Sequence, residues 1–382
     1  ARADWEQKGT IPSGYELQMR VQETHWYSEL QCHAAQKTIH EVGEAFQSWF
    51  KLRKRDKTAR PPGFRPKEKL SPVTFDRSGF RFCERTKALL LSIGPEQRKE
   101  LDYPHKFLAL QVDYWRSIEG EVVEVSLVPR DGFFEVHAKV KLPEPTWRTE
   151  GQVIAVDLGM RNPIVSMGED GKVDIFKGGG VLQTLHYWNK EKARVQGEVM
   201  ERTNGKKKWS QALTRMVQRG ARQVKHALHG LSSAFVELCR QRGAKEVVVG
   251  DLKGLKKEPD GSGKHWNRKS SQNWQQFSVR ELVAQVGYKL ARLGIRLREQ
   301  DERGTSRGRC SLCGCTDRTK LHRVHRGEFY CENCDTYQNA DVNGVGNQRA
   351  RYLHQEVLIG ISEGSSGALA APTVFRWDGH RW

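Results

Sequence analysis

Val153-Ile154-Ala155-Val156-Asp157-Leu158-Gly159 is a short apolar run closed by an acid and a turn. A run of this kind reads as an apolar strand with an acid near its end. Leu158-Gly159 lets the chain turn without crowding Asp157, so the carboxylate stands at the strand end, where chemistry gathers in such sheets. Asn162 to Ser166 and Val173 to Phe176 supply hairpin strands after it. A long helical region is expected from Leu182 to Arg242, with Val224, Leu228, Leu231, Phe235 and Leu238 on one apolar face. Gly243 ends it, and Glu246-Val247-Val248-Val249 forms the next buried strand. Pro259 to Ser271 reads as a polar, basic loop. A helix from Trp274 to Arg292 follows, with Val279, Val283, Val286, Leu290 and Leu293 on one face, then a strand from Ile295 to Leu297. Strand, hairpin, helix, strand, helix, strand predicts an α/β sheet covered by helices.

Upstream the pattern differs. Gly14 to Arg55 reads as helix, with Trp26, Leu30, Ile39, Val42, Phe46 and Trp49 as apolar anchors, until Pro61-Pro62-Gly63 stops it. From Val73 to Pro143 short β-rich runs take over: Val73-Thr74-Phe75, Gly79 to Phe82, Phe107 to Leu110, Val122 to Val125 and Phe133 to Val136. Turn signals such as Arg130-Asp131-Gly132 separate them, which predicts a small antiparallel sheet or barrel. Leu142-Pro143-Glu144-Pro145 reads as a linker, and no internal repeat is evident.

The chain has 382 residues, enough for two or three domains, and a formal net charge of +18. A positive field of that size favours a polyanion, nucleic acid first, over a merely soluble basic protein. Eleven Trp among 64 Lys and Arg add candidates for base stacking and cation–π contact, although most such rings belong to cores. No apolar run is long enough to span a membrane, and no signal peptide is read. The first residue, Ala1, points to further residues upstream of it.

Four of the eight Cys form two Cys-x-x-Cys knuckles, Cys310/Cys313 and Cys331/Cys334, separated by a basic, turn-rich loop of zinc-ribbon length. Two such knuckles make a tetrahedral S4 site that suits zinc. Cys315, His322 and His325 break the symmetry of the pair, and Cys32, Cys83 and Cys239 are scattered. This usage suits a reducing intracellular compartment better than a disulfide framework. Arg318, Lys320, Arg323 and Arg326 in the ribbon loop are candidates for nucleic-acid backbone contact.

An acid stands on each side of the ribbon, Glu302 before it and Asp341 in Asn339-Ala340-Asp341-Val342-Asn343 after it. Closing the ribbon brings its ends, and with them these acids, toward one place. Phosphodiester hydrolysis at neutral pH draws on divalent cations, and two Mg²⁺ a few Å apart need carboxylates converging from several parts of the chain. The bland readings are a turn-capping Asp157, an N-cap Asp341 and a solvated Glu302 within Arg298-Glu299-Gln300-Asp301-Glu302-Arg303.

Val-Ile-Ala-Val-Asp-Leu-Gly, Thr305-Ser306 followed by Cys-x-x-Cys-Gly, and Asn-Ala-Asp-Val-Asn-Gly together resemble the RuvC-type nuclease of TnpB proteins. These are transposon-encoded RNA-guided DNA nucleases, related to compact type V CRISPR effectors and to Fanzor proteins. The resemblance is most specific over about residues 150–350 and extends to Ser78-Gly79-Phe80-Arg81. It implies a multidomain α/β protein: a helical recognition lobe over 1–60, a β-barrel wedge-like domain over 61–148 and an RNase H-like RuvC core over 149–301. A zinc ribbon over 302–340, a RuvC helix over 341–358 and a tail over 359–382 complete it. The implied partners are guide RNA and target DNA, with no membrane, as monomer or homodimer in a prokaryotic cytoplasm.

One departure is informative. The family usually carries a catalytic Glu before an Asp-Leu at the second core strand, where this chain reads Val249-Gly250-Asp251-Leu252. Some relatives, Fanzor proteins among them, look similar in having a neutral residue there and an alternative Glu shortly before the Thr-Ser of the ribbon. Glu302 matches that pattern in identity and register, with Asp301 and Asp251 as weaker substitutes. The resemblance therefore implies Asp157, Glu302 and Asp341 as Mg²⁺ ligands and catalytic residues, beside Zn²⁺ on Cys310, Cys313, Cys331 and Cys334. A nuclease-dead RNA-guided DNA binder acting as a repressor fits Gly250 but leaves Glu302 unexplained. An unguided zinc-ribbon transposase or resolvase-like nuclease accounts for basicity and zinc but not for the wedge-like segment. Nucleic-acid contact is expected at Lys51, Arg53, Lys54 and Arg55 with Lys57 and Arg60, at Arg65 to Lys69, and at Lys206, Lys207, Lys208 and Trp209. The run Lys264 to Lys269, with Trp266, Arg268 and Lys269, is the last candidate. The bland reading of each run is a solvated face.

Overall fold

The computed structural model describes residues 1–65, 69–112, 120–130, 132–251, 272–273, 276–325, 327–354, 372–378 and 382. Two units divide the chain, Ala1–Glu144 and Pro145–Trp382, within the stretch expected to be a linker.

The first unit opens with α1 (Arg2–Lys8), α2 (Gly14–Val21), α3 (His25–Ser28) and α4 (Cys32–Arg55). The continuous helix expected from Gly14 is thus broken twice. Ser13 begins α2 with a reciprocal capping box, its hydroxyl accepting from Glu16 N and its own N–H donating to Glu16. The breaks put Trp26 outside any apolar stripe: it is 76% exposed, and Val42 also faces solvent, while Phe46 and Trp49 are buried as expected.

Among the described residues six strands follow: β1 (Val73–Asp76), β2 (Phe80–Cys83), β3 (Ala88–Ser92), then, after α5 (Pro95–Glu100), β4 (Phe107–Gln111), β5 (Glu121–Pro129) and β6 (Phe134–Lys141). They pair as two antiparallel sheets, β1-β5-β6 and β2-β3-β4. Among the described residues no ladder joins the two into the barrel that was expected. Phe75, Phe80, Leu89, Leu91 and Val125 form one core with Ala34 of α4, and Lys37 of the same helix pairs with Glu124 at 2.8 Å.

In the second unit, β7 (Gln152–Asp157), β8 (Ile164–Met167) and β9 (Val173–Lys177) form a meander, followed by α6 (Gly179–Arg202) and α7 (Gln211–Gln241). The single helical region expected here is a helix pair, because Asn204 and Gly205 turn the chain at positive φ. β10 (Ala244–Gly250), α8 (Val279–Arg292) and β11 (Arg296–Gln300) come next. β10 lies parallel to both β7 and β11, giving the order β11-β10-β7-β8-β9 and then β15 (Thr373–Arg376), parallel to β9. Between β11 and β15 lie the ribbon strands β12 (Leu321–His325), β13 (Glu328–Cys331) and β14 (Thr336–Asn339), and then α9 (Ala340–Tyr352).

The apolar run of β7 is explained by cover on both sides. Ile154 and Val156 pack with Val224, Leu228, Leu231 and Phe235 of α7 and with α8, while Ala155 packs with Val342 and Val345 of α9. Burying a Val or Ile side chain contributes about 1.5–3 kcal/mol, so these strands anchor the unit. No helix among the described residues is long and apolar enough to cross a membrane.

Candidate functional site

Parallel pairing brings the ends of β7, β10 and β11 to one sheet edge: Val156 registers with Val249, and Gly250 with Gln300. Asp157 ends β7 there, and Glu302 follows two residues after β11. A Cβ added at Gly250 would overlap the Glu302 carboxylate oxygen and lie 3.0 Å from its Cδ. The Glu302 side chain therefore fills the volume that a residue at the end of β10 would otherwise use. From the opposite face α9 leans on Asp157, where a Cβ at Gly344 would lie 3.2 Å from Asp157 Oδ2, and Gln348 Nε2 donates to Asp157 Oδ1 at 3.3 Å.

Asp341 is not the helix cap. Asn339 takes that role, its Oδ1 accepting from Asp341 N at 2.9 Å and from Val342 N at 3.3 Å. The Asp341 carboxylate is thereby released into the site, where Asn162 Nδ2 donates to it at 2.6 Å. Asn162 lies in the turn between β7 and β8 and carried no distinguishing sequence signal.

The electrostatics tie the three acids together. Burial pushes the Asp157 carboxyl well above the usual carboxylate range, and the charges of Asp341 and Glu302 push it further, while Arg323 of the ribbon pulls it down. Among the described residues the three carboxylates do not close into a cluster with all ligand atoms within 4.8 Å of one another, as the four cysteines do. A buried carboxylate with two further acids acting on it is a donor set for hard divalent cations, whose charge offsets the repulsion and whose preferred ligands are carboxylate oxygens.

This strain has a sign that can be checked. Asp157 ionises at higher pH in the folded chain than unfolded, so the folded chain holds its proton more tightly. The cost of ionised Asp157 to the metal-free fold grows as pH rises from the ordinary value of 3.8 through the raised folded one, and is complete above it. Asp157→Asn is expected to raise the Tm of Mg²⁺-free, zinc-retaining protein at neutral pH, by about 2–4 °C per kcal/mol relieved. The gain should vanish in acid. A variant that melts below wild type at neutral pH would contradict the account.

A hydrogen-bonded clasp positions Glu302 from α9. Asn347 Nδ2 donates at 2.8 Å to both Thr305 O and Arg309 O, and Thr305 Oγ1 donates at 2.7 Å to Glu302 O. Arg351 donates to Asp301 O and, at 2.9 Å, to Arg303 O, which fixes the carbonyls on either side. Asn343, wholly buried, donates to Arg309 O and accepts from Ser311 N and Gln338 Nε2.

The same network reaches the ribbon, where Gln338 Nε2 lies 3.7 Å from Cys310 Sγ. Cys310 and Cys334 Sγ are 3.8 Å apart, and Cys313 and Cys331 Sγ 3.6 Å. Four thiolates at about 2.3 Å from a tetrahedral zinc lie about 3.8 Å from one another, so the set fits that ion as it stands. His322 is occupied with Glu332 at 2.7 Å, and Cys315 accepts Cys310 N through its carbonyl; neither joins the four.

Other expected residues sort differently. Asp301 is 69% exposed and its carboxylate accepts from Arg303 N, while Asp251 N donates to Gln300 O, prolonging the strand pairing. Lys51, Arg53, Lys54 and Arg55 are exposed toward the C-terminal end of α4, and Arg53 lies over the Trp5 and Trp49 rings at 5.2 and 5.3 Å. Lys206, Lys207 and Lys208 are exposed, as is Trp209, whose ring meets Lys192 at 5.5 Å. Trp266, Arg268 and Lys269, like Arg326, lie outside the described residues.

Residues 135–256 match a family model described as a probable transposase, OrfB_IS605, and residues 280–348 match the Cas12f1-like TNB domain. Together the two matches span half of the chain. Among solved structures, the chain is similar to a Cas12f1–sgRNA–target DNA complex, with a TM-score of 0.38 and 14% identity over 90% of this chain and 87% of that one. It is also similar to a CRISPR-Cas12f ternary complex, with a TM-score of 0.38 and 12% identity over 91% and 77%. No curated protein matches the chain significantly.

Proposed function

Because the chain belongs to the family of TnpB proteins and compact type V effectors, we propose that it is an RNA-guided DNA endonuclease whose rearranged RuvC centre is Asp157, Glu302 and Asp341. The observation that carries this reading is the seat of Glu302: its carboxylate fills the space above Gly250 and its charge weighs on Asp157. The strand order β11-β10-β7-β8-β9, with β8 antiparallel to its neighbours, supports an RNase H-like core. The ribbon over 302–340 is then an insertion before the helix that carries Asp341. Residues 1–60 and 61–148 are assigned as recognition lobe and wedge.

In this reading the three carboxylates hold Mg²⁺, which when bound activates water and stabilises the leaving 3′ oxygen. Asn162 aims Asp341, Asn347 and Arg351 fix the turn of Glu302, and the positive charge of Arg323 acts on Asp157. The one centre serves both DNA strands in turn and leaves 5′-phosphate ends.

Protein purified with co-expressed guide RNA is expected to cut a matched DNA target in Mg²⁺ and not in its absence. A wild type that binds the target and never cuts would instead favour a guided, nuclease-dead repressor, the reading that Gly250 alone suggests. If no RNA copurifies and none is needed for DNA binding, both guided readings fail.

Gly250→Ala provides a finer check, because its new methyl must displace the Glu302 carboxylate. A displacement of about 1 Å costs on the order of 10²-fold in rate. Cutting should fall by roughly that factor with target binding unchanged. Wild-type cutting by this variant would mean that Glu302 works elsewhere.

A further inference from the structure

α7 carries charge of almost one sign. Across its 31 residues Glu237 is the only carboxylate, and it is paired with Arg240. Arg219, Arg222 and His226, each about one helical turn from the next and exposed, line a groove of about 650 Å³ with Thr184, Gln223 and Trp377. Neither Arg219 nor Arg222 has an acidic partner among the described residues, unlike Arg194, Arg240 and Arg298, which pair with glutamates; Arg202, Arg280 and Arg307 are also exposed without one.

Trp377 reaches this groove from the segment just after β15. Glycines admit it: a Cβ at Gly180 of α6 would lie 2.9 Å from its Cδ1, and one at Gly230 of α7 would lie 3.1 Å from its Cζ3. Its ring centroid is 6.0 Å from that of His226 and 5.8 Å from that of Trp382, which packs against the core. The indole is thus fixed on its inner side and half-exposed toward the groove. Two unpaired guanidiniums beside a braced aromatic face are the elements that hold a nucleic-acid strand, cations on the phosphates and a ring under a base. α7 lies on the face of the sheet opposite α9, which carries Asp341, so the groove and the acids are different places on this unit.

We infer that Arg219, Arg222 and Trp377 form a binding groove for a single-stranded segment of nucleic acid, separate from the nuclease centre; this rests on the guided reading above. The shared chemistry is a phosphodiester backbone with an unstacked base, supplied either by the guide RNA or by the DNA.

The test is an Arg219→Gln/Arg222→Gln variant, exposed positions whose change should leave the Tm at its wild-type value. Binding is measured against salt in two arms: protein with guide RNA, and guide-loaded protein with matched target DNA. Loss of two phosphate contacts lowers the slope of log K against log salt by about 1.4 on single strands. Affinity should fall at least tenfold in one arm, which identifies the strand. Trp377→Ala should weaken the same arm by about 5- to 100-fold. Unchanged slopes and affinities for the Arg variant in both arms overturn this inference alone. A wild type that holds neither RNA nor DNA overturns it together with the guided reading.

Discussion

Glu302→Ala should lose target cutting by about 10³-fold or more while guide and target binding stay at the wild-type level. A metal ligand in such a centre is worth several kcal/mol of transition-state stabilisation, and each 1.36 kcal/mol is about tenfold in rate. Removing Glu302 takes away one of the charges that oppose ionisation of Asp157, and a wild-type Tm with retained target binding on the same samples separates loss of a ligand from misfolding. Glu302→Gln keeps the shape and removes the charge, so it should fail nearly as badly. Glu302→Asp should keep partial activity, since the backbone that carries it is held by Thr305, Asn347 and Arg351 whatever the side chain. Single-turnover cleavage with binding measured on the same samples separates these outcomes. A Glu302→Ala protein that cuts like wild type would return the site to Asp157 and Asp341 alone.

Stripping zinc, or replacing Cys310 and Cys331 by Ser, should cost the ribbon its fold and abolish cutting with it. Structural zinc in finger-sized modules contributes about 10–16 kcal/mol of apparent binding energy, far more than a small ribbon core can supply. That core consists of Cys310, Phe329, Cys331 and Ala340 with a few half-buried neighbours. Its loss propagates: Gln338 and Ser311 no longer hold Asn343, and the turn from Glu302 to Arg309 loses its counterpart on α9. The sheet and α7 should persist, since their cluster contains no ribbon residue. Limited proteolysis should then cleave within 302–340 while far-UV dichroism changes little. Metal-free protein that resists protease and still cuts would break the link between ribbon and centre.

Much of the candidate site was legible because each part announces itself locally. The apolar run before Asp157, the Val-Val-Val of β10 and the two Cys-x-x-Cys knuckles need no distant partner to be recognised. Gly250 and Glu302 were readable as a pair only through the family resemblance, within which Thr305-Ser306 fixes the register. What stayed hidden depends on long-range contact. Thr373–Arg376 is too short to signal a strand, and its place at the sheet edge is set by β9. Asn162 reaches Asp341, and the charge of Arg323 acts on Asp157, only after the meander and the ribbon have folded. Asn204-Gly205 is a turn signal that the charged, helix-forming residues around it masked. Trp26 was misplaced for a related reason: a helical period was carried across breaks, and the ring ended in solvent.

The claim that Glu302 is a ligand, not a bystander, is tested most directly by manganese binding to the RNA-loaded, target-bound protein, titrated by electron paramagnetic resonance. Even residues behind a metal ligand cost 10–100-fold in affinity when removed, so a ligand itself should cost at least about tenfold. Glu302→Ala is predicted to bind Mn²⁺ more weakly than wild type by that factor or more, with zinc content unchanged. Equal Mn²⁺ affinity and stoichiometry in the two proteins would contradict the rearranged site.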